Sequence, residues 1–342
     1  MIKYLGSKKK LLDAIYDATL DGFDGEPQTI IDLFSGTSRV GHHFKSKGHR
    51  VISNDLSAYG KVLAECLVVA NKEDVTEEAQ KWIKHYNDTQ GVFNGYFTDT
   101  FCSQSRFFQP KNGKKVDYIR EDIEKQNFDP ILKSVLLTSL MLAADKVDST
   151  CGVQMAYLKK WAKRSNNDLV LKMPDILPKS AFGECEAHQA DAIEISKTLK
   201  GDVAYLDPPY NQHKYLGNYH IWESLVLWDK PEVYGVACKR VDVKTSKSDF
   251  NRKREACKAM EKVIDNCAKN VKRIVVSFNN EGYISRQEMI NMLSKHGKTI
   301  FYTIEYDRYV GARIGIYNNK GQKTGTVGDT KNEEYIFVTD VK

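Results

Sequence analysis

The chain reads as an α/β protein, a mostly parallel sheet covered by helices and closed by an antiparallel pair. Three observations predict this. Short apolar runs alternate with helix-like segments over the first seventy or so residues, the same rhythm resumes after residue 183, and two β-type runs follow one another near residues 299–338. Strands that alternate with helices pair in parallel, because each helix carries the chain back across one face of the sheet.

Thr29 to Phe34 forms the first run and leads into the turn Ser35-Gly36-Thr37-Ser38. A helix-like segment follows from Arg39 to Lys47, and Gly48 breaks it. Arg50 to Asp55 is the second strand, with a helix through Leu67. From about Asn71 the rhythm changes. Residues 72–182 hold polar and aromatic loops, Gly91 to Gly113 among them, and helix-like stretches. One helix is well marked: Asp129 as cap, Pro130 at the first helical position, then Ile131 to Val147 with helical spacing. Gln154 to Arg164, with Lys159, Lys160, Lys163 and Arg164, reads as another. Residues 72–182 are therefore expected to be an inserted, largely helical lobe, and residues 1–71 and 183–342 the main domain. There the strands resume at Glu184 to Ala190, Asp202 to Leu206 and Arg273 to Phe278. Thr299 to Tyr306 and Glu334 to Val338 make the closing pair, flanking a polar arm from Arg308 to Asn332.

Among 342 residues, 51 Lys and Arg stand against 45 Asp and Glu, a net charge of +6. That suits either a basic face for phosphate or an evenly solvated surface. The longest apolar run, Val135 to Ala144, is interrupted by Thr138 and Ser139 and falls short of the roughly 20 residues of a membrane span. The opening residues, from Met1 to Lys8, predict no secretion signal. Seven cysteines without CxxC spacing predict reduced thiols in a cytoplasmic protein and no bound metal.

Asp207-Pro208-Pro209-Tyr210 directly follows a buried-type strand. Open α/β sheets gather ligands at the carboxyl ends of their strands. Two prolines stiffen the backbone and remove two N–H groups. What remains is the Asp207 carboxylate, the Pro208 carbonyl and the Tyr210 ring. Two acceptors and an aromatic plate suit the exocyclic amine of a nucleobase. They would favour its pyramidal, nucleophilic form and stabilise the positive charge of attack. A base inside a duplex must flip out to reach them. The plainer alternative is a proline-rich turn. Asp32-Leu33-Phe34-Ser35-Gly36-Thr37 makes the first strand-to-helix turn, where Gly36 admits a ligand close to the backbone. Gly36 and Gly41 have phosphate-loop spacing, but His42 and His43 replace the lysine and hydroxyl residue, so a cofactor without phosphate fits better. Asp55, at the second strand end, suits ribose hydroxyls, and Asp191, at the third, an adenine amine. Each acid alone is more often a helix cap or turn residue; three at three successive strand ends point to a ligand.

As an ordered set these motifs resemble the D12 class of DNA adenine-N6 methyltransferases, the group that includes Dam-like and FokI-type modification enzymes. Lys3-Tyr4-Leu5-Gly6-Ser7-Lys8 resembles the N-terminal cofactor motif, Asp32 to Ser38 the S-adenosylmethionine motif and Asn54-Asp55 the ribose motif. His188 to Asp191 resembles the adenine-side motif, and Asp207 to Tyr210 the catalytic one. The resemblance implies a Rossmann-like S-adenosylmethionine-dependent methyltransferase fold. It further implies methyl transfer to N6 of a flipped adenine in double-stranded DNA, with no metal. Tyr4 and Lys8 are implied at the methionine part of the cofactor, Asp55 at the ribose, and Asp207 between cofactor and base. One departure is plain: Ser38 stands where the family often has its second glycine.

By the same resemblance, residues 72–182 would be the target-recognition region. Candidate DNA contacts are Arg106, Lys111, Lys114, Lys115, Lys159, Lys160 and Arg164 there. Lys214, with His213 and Tyr215, lies on the rim, and a basic stretch from Lys239 to Arg254 includes Arg240, Lys244, Lys247 and Arg252. That stretch is expected to close over the base, and the arm with Arg313, Lys320 and Lys323 to lie along the duplex. The expected setting is a monomeric, prokaryotic or phage-encoded modification enzyme, paired with a restriction endonuclease for the same site. Methylation of RNA, of cytosine-N4 or of guanine-N2 remains an alternative, as does a non-catalytic DNA-binding module. A dehydrogenase is disfavoured by the missing G-x-G-x-x-G.

Overall fold

The computed structural model describes the chain except residues 24, 27, 213, 247 and 308–330, and except the side chains of 305–307, 331 and 332. Nine strands and twelve α-helices follow in order within it: α1 (Leu12–Leu20), β1 (Thr29–Asp32), α2 (Arg39–Ser46), β2 (Arg50–Asp55), α3 (Ala58–Ala64), α4 (Lys72–Asp88), α5 (Tyr96–Thr98), α6 (Pro110–Lys125), α7 (Pro130–Val147), β3 (Glu186–Gln189), α8 (Ala192–Ile195), β4 (Val203–Leu206), α9 (Tyr215–Asn218), α10 (His220–Leu227), β5 (Val233–Tyr234), β6 (Lys239–Arg240), α11 (Ala256–Cys267), β7 (Arg273–Asn279), α12 (Arg286–Leu293), β8 (Gly297–Asp307) and β9 (Lys331–Val341).

The main sheet runs β3-β2-β1-β4-β7-β9-β8. The first five strands in that order pair in parallel. β9 is antiparallel to β7, and β8 to β9, as the two closing runs predict. Side chains alternate across the sheet. Ile31, Ile52, Ala204 and Ile274 pack towards α11 and α12, while Ile30, Val51, Val203 and Val275 pack towards α1 and α2. Both faces are therefore apolar, as a doubly wound parallel sheet requires. The strand order reverses between β1 and β4, which opens a crevice at their carboxyl ends.

The helices of residues 72–182 share one continuous core with the rest of the chain. Ile83 on α4, Ile119 on α6 and Leu140 on α7 share it with Tyr59 and Leu63 on α3 and with Ile221 and Trp222 on α10. The α7 start is as expected: the Asp129 carboxylate accepts the backbone N–H of Ile131 (2.9 Å) and of Leu132 (3.3 Å). Two expectations fail here. Gly91 to Gly113 is not simply loop; it contains α5 and the start of α6, because Phe97, Phe101, Phe107 and Phe108 are core residues. Gln154 to Arg164 is not a helix; only Lys163–Asn166 forms a 3-10 turn. Tertiary bonds claim its backbone instead: Gln154 N–H donates to Asn218 O, and Leu158 N–H to Ser149 O. No disulfide joins the described cysteines, and no described helix is long and apolar enough to cross a membrane.

Candidate active site

The crevice at the switch point is a cleft lined by residues from every parallel strand end except β7. Its floor is the first turn. Gly36 adopts φ +50°, and its N–H donates to Asp55 Oδ2 at 2.8 Å. A side chain there would sit strained and only 3.4 Å from the Tyr4 ring. Asp55 Oδ1 accepts both the N–H and the hydroxyl of Ser57, at 2.8 and 2.6 Å. These bonds fix the carboxylate; burial still raises its pKa, against their pull. Gly60 is required beneath it, since a Cβ would fall 2.6 Å from the Asp55 carboxyl carbon. Asn54 ties the neighbouring strand ends together, donating to Leu33 O and Ala190 O and accepting from Ala190 N–H.

Asp32 is buried at the end of β1, and its Oδ2 accepts the Gly41 N–H at 3.1 Å. It thereby caps α2 at the third helical residue. Ser38, the formal cap, cannot do so: it sits at φ +57°, fully buried, and its hydroxyl has no hydrogen-bond partner. Burial, and then the nearby Asp207 charge, push Asp32 up to about 7. Asp191 lines the cleft and also caps α8, accepting from Ile193 and Glu194 N–H.

Aromatic rings form one wall. Tyr4 stacks on Tyr219 at 4.6 Å and on Tyr215 at 5.3 Å, and its hydroxyl meets that of Tyr59 at 3.3 Å. Phe34 meets the edge of Phe250 at 5.2 Å. At the far side Asp207 Oδ1 lies 3.1 Å from the Lys8 ammonium, which also binds Glu334. Burial raises Asp207 to about 6, with Lys8 pulling it down and Glu334 adding to the rise. Burial alone would lower the Lys8 ammonium, but Asp207 and Glu334 outweigh it and hold it well above its ordinary value.

The cleft thus gathers Tyr4, Lys8, Asp32, Phe34, Gly36, Asp55, Asp191, Asp207 and Lys214. Pro209 is among its lining residues, whereas Pro208 and Tyr210 are not; the Tyr210 ring meets Phe278 edge-on at 5.9 Å, and its carbonyl accepts Tyr283 N–H. Tyr59, Tyr215, Glu223, Ser246, Ser248, Phe250 and Asn251 also line it. Of these, only Tyr215 figured in the sequence reading, as a rim residue. Ser246, Ser248, Phe250 and Asn251 sit inside the basic stretch from Lys239 to Arg254.

The candidate DNA contacts divide. Lys159 and Lys160 are exposed, and the Arg106 guanidinium lies 4.8 Å over the Trp161 ring while donating to Lys159 O. Lys214 donates to Val243 O, and Lys244 covers the Tyr234 ring at 4.2 Å. Others are ion-paired within the chain. Arg164 binds Asp148, Lys111 binds Asp168, Arg252 binds Asp249, and Arg240 is buried between Asp229 and Asp242. For Arg252 and Arg240 a partner, Asp249 or Asp242, stands two or three residues away in the sequence; Asp148 and Asp168, the partners of Arg164 and Lys111, are brought in only by the fold. His213, Lys247, Arg313, Lys320 and Lys323 lie outside the described residues.

A doubly wound, mostly parallel sheet with an acid-tipped, ring-walled cleft at its switch point defines an α/β protein of the Rossmann type. The model for D12 class N6 adenine-specific DNA methyltransferases matches residues 4–292, and the chain belongs to that family. It is 33% identical to the modification methylase StsI of Streptococcus sanguinis, over 92% of this chain and 50% of that protein. It is 29% identical to the type II methyltransferase M.FokI of Planomicrobium okeanokoites, over 98% and 56%. It is also 29% identical to the type II methyltransferase M.NlaIII of Neisseria lactamica, over 94% and 97%. The chain therefore spans about half the length of the first two and nearly all of the third.

Proposed function

We propose that this protein transfers a methyl group from S-adenosylmethionine to the N6 amine of an adenine flipped out of double-stranded DNA, as a site-specific modification enzyme. The observation that carries this reading is Asp207: a carboxylate at the end of β4, beside Pro208, opening on the same cleft as Asp55 and Tyr4 in a chain of the D12 family.

The residues fit the cofactor. Asp32, Asp55, Asp191, Asp207 and Glu223 outnumber Lys8, Arg39 and Lys214 in the described lining, which favours a ligand with a sulfonium and an ammonium group over a phosphate. Asp55 would hold the ribose hydroxyls and Tyr4 would lie against the methionine part. Asp191 keeps a second carboxylate oxygen for an adenine amine while capping α8. Bound there, S-adenosylmethionine supplies an electrophilic methyl group.

Asp207 and the Pro208 carbonyl each accept one N–H of the substrate amine. This withdraws the nitrogen lone pair from the ring and stabilises the charge that develops on nitrogen. The lone pair forms the N–C bond as the C–S bond breaks, and the surplus proton leaves to water. The exposed pair Lys159 and Lys160, with Arg106 and Trp161, supports a duplex-binding face. Their loop is bonded to α9 through Gln154 N–H and Asn218 O, one helix downstream of the catalytic turn. Phosphate contacts there would orient the duplex without reading it. A cognate endonuclease would act on the same site.

Radiolabelled cofactor offered to duplex DNA and to RNA tests the reading, with the labelled base identified by digestion. Label in N6-methyladenine of DNA is expected. Asp207→Ala should lower transfer by at least about 100-fold while cofactor binding survives. Label confined to RNA or to another base, or normal turnover by the variant, would overturn it.

A further inference from the structure

Glu334 lies on β9, 326 residues from Lys8, on a strand that contributes none of the described lining of the cleft. It is 2% exposed. One oxygen, Oε1, accepts both the Lys8 ammonium and the Ser277 hydroxyl, the latter at 2.7 Å. On its other side the ammonium reaches Asp207 at 3.1 Å. Glu334, Lys8 and Asp207 therefore form a line, with Ser277 of β7 fixing its far end. Burying this extra carboxylate costs desolvation and adds nothing to the cleft wall.

We propose that Glu334 is a positioning residue for methyl transfer: it retains the Lys8 ammonium so that Asp207 can exchange that partner for the substrate amine. This rests on Asp207 being the catalytic acceptor. Were Asp207 the sole anion for Lys8, turning to a substrate would strand a buried cation, and the pair would stay locked. With Glu334 in place the ammonium remains paired throughout. Asp207 is faced by Lys8, Glu334, Asp32, Tyr205 and Tyr215, so the charge of Glu334 also bears on its titration.

Single-turnover methylation of unmethylated genomic DNA, measured across pH, tests this alongside cofactor affinity by calorimetry. Glu334→Gln is expected to slow transfer at least tenfold with cofactor Kd within threefold. Its acid limb should move to lower pH, because one negative neighbour of Asp207 is gone. In a Lys8→Met background the same change should cost nothing further. A wild-type rate and limb for Glu334→Gln, or full additivity with Lys8→Met, overturns the proposal. Should Glu334→Gln fail to fold, Ser277→Ala must slow transfer several-fold at unchanged cofactor affinity, and a wild-type rate there overturns it equally. Asp207→Asn, run in parallel, separates the two ideas. If it retains activity, the reading of Asp207 fails. If it is inactive while Glu334→Gln is unimpaired, only the role of Glu334 falls.

Discussion

Replacing Ser38 with glycine should stabilise this protein. Ser38 sits at φ +57°, a left-handed conformation that costs a residue with a Cβ about 1–2 kcal/mol. It is fully buried and its hydroxyl lacks a partner, a further penalty of about 1 kcal/mol or more. Glycine removes both terms but loses about 0.5–1 kcal/mol through its freer unfolded chain. The balance favours Ser38→Gly by about 1–2 kcal/mol, a rise in Tm of about 3 °C. Ser38→Ala is the informative control, because it discards the hydroxyl and keeps the Cβ at positive φ. Thermal and urea unfolding should rank glycine above alanine, and alanine at or above serine. Cofactor affinity should hold, since Ser38 does not line the cleft. A glycine variant no more stable than the alanine variant would show that the backbone at this turn is unstrained and that the reasoning is wrong.

Other outcomes follow from charges. Asp32 and Asp207 bind protons more tightly in the folded than in the unfolded chain, with folded values of about 7 and about 6. Their contribution to stability is therefore fully present below about pH 4 and is lost as pH rises through 6 to 7. Asp32→Asn, which retains an acceptor for Gly41 N–H, should flatten the fall in Tm between pH 5 and 8; an unchanged slope would refute the shift. Arg164→Ala should destabilise the fold by about 1–3 kcal/mol, because it strips a partner from the buried Asp148, and should leave the salt dependence of DNA binding unchanged. Lys159→Ala and Lys160→Ala should do the reverse, each lowering the salt slope by about one at unchanged Tm. A reduced slope for Arg164→Ala would return that residue to the interface.

Asp32, Asp55 and Asp207 were readable because each closes a run with an apolar centre, whereas Asp191 follows the polar strand Glu186–Gln189 and was reached through the resumed strand rhythm. All four stand at carboxyl ends of parallel strands and line the cleft. Glu334 was not readable. In Asn332-Glu333-Glu334-Tyr335-Ile336 it looks like one more polar residue at the start of a strand, and its partner is 326 positions away. Arg164 misled for a related cause: a basic residue in a lysine-rich run signals phosphate, while Asp148 lies at a spacing that only the folded loop closes. Gln154 to Arg164 has helical composition, yet bonds to Ser149 and Asn218 outweigh that local preference. Ser38 carries a local signal in part: its place in the glycine motif is written in the sequence, its positive φ only in the fold.

The placing of β9 between β7 and β8 has a consequence for biosynthesis. β8 is made before β9 yet joins the sheet only through it, so the closing hairpin enters as a unit. Lys8 emerges from the ribosome long before Glu334 does and must await that counter-ion. A nascent chain can already carry all four strand-end acids and still lack its finished charge line. On the proposal above, competence would arrive only once β9 has entered the sheet, and a chain stalled before that strand would hold the Lys8 ammonium against Asp207 alone.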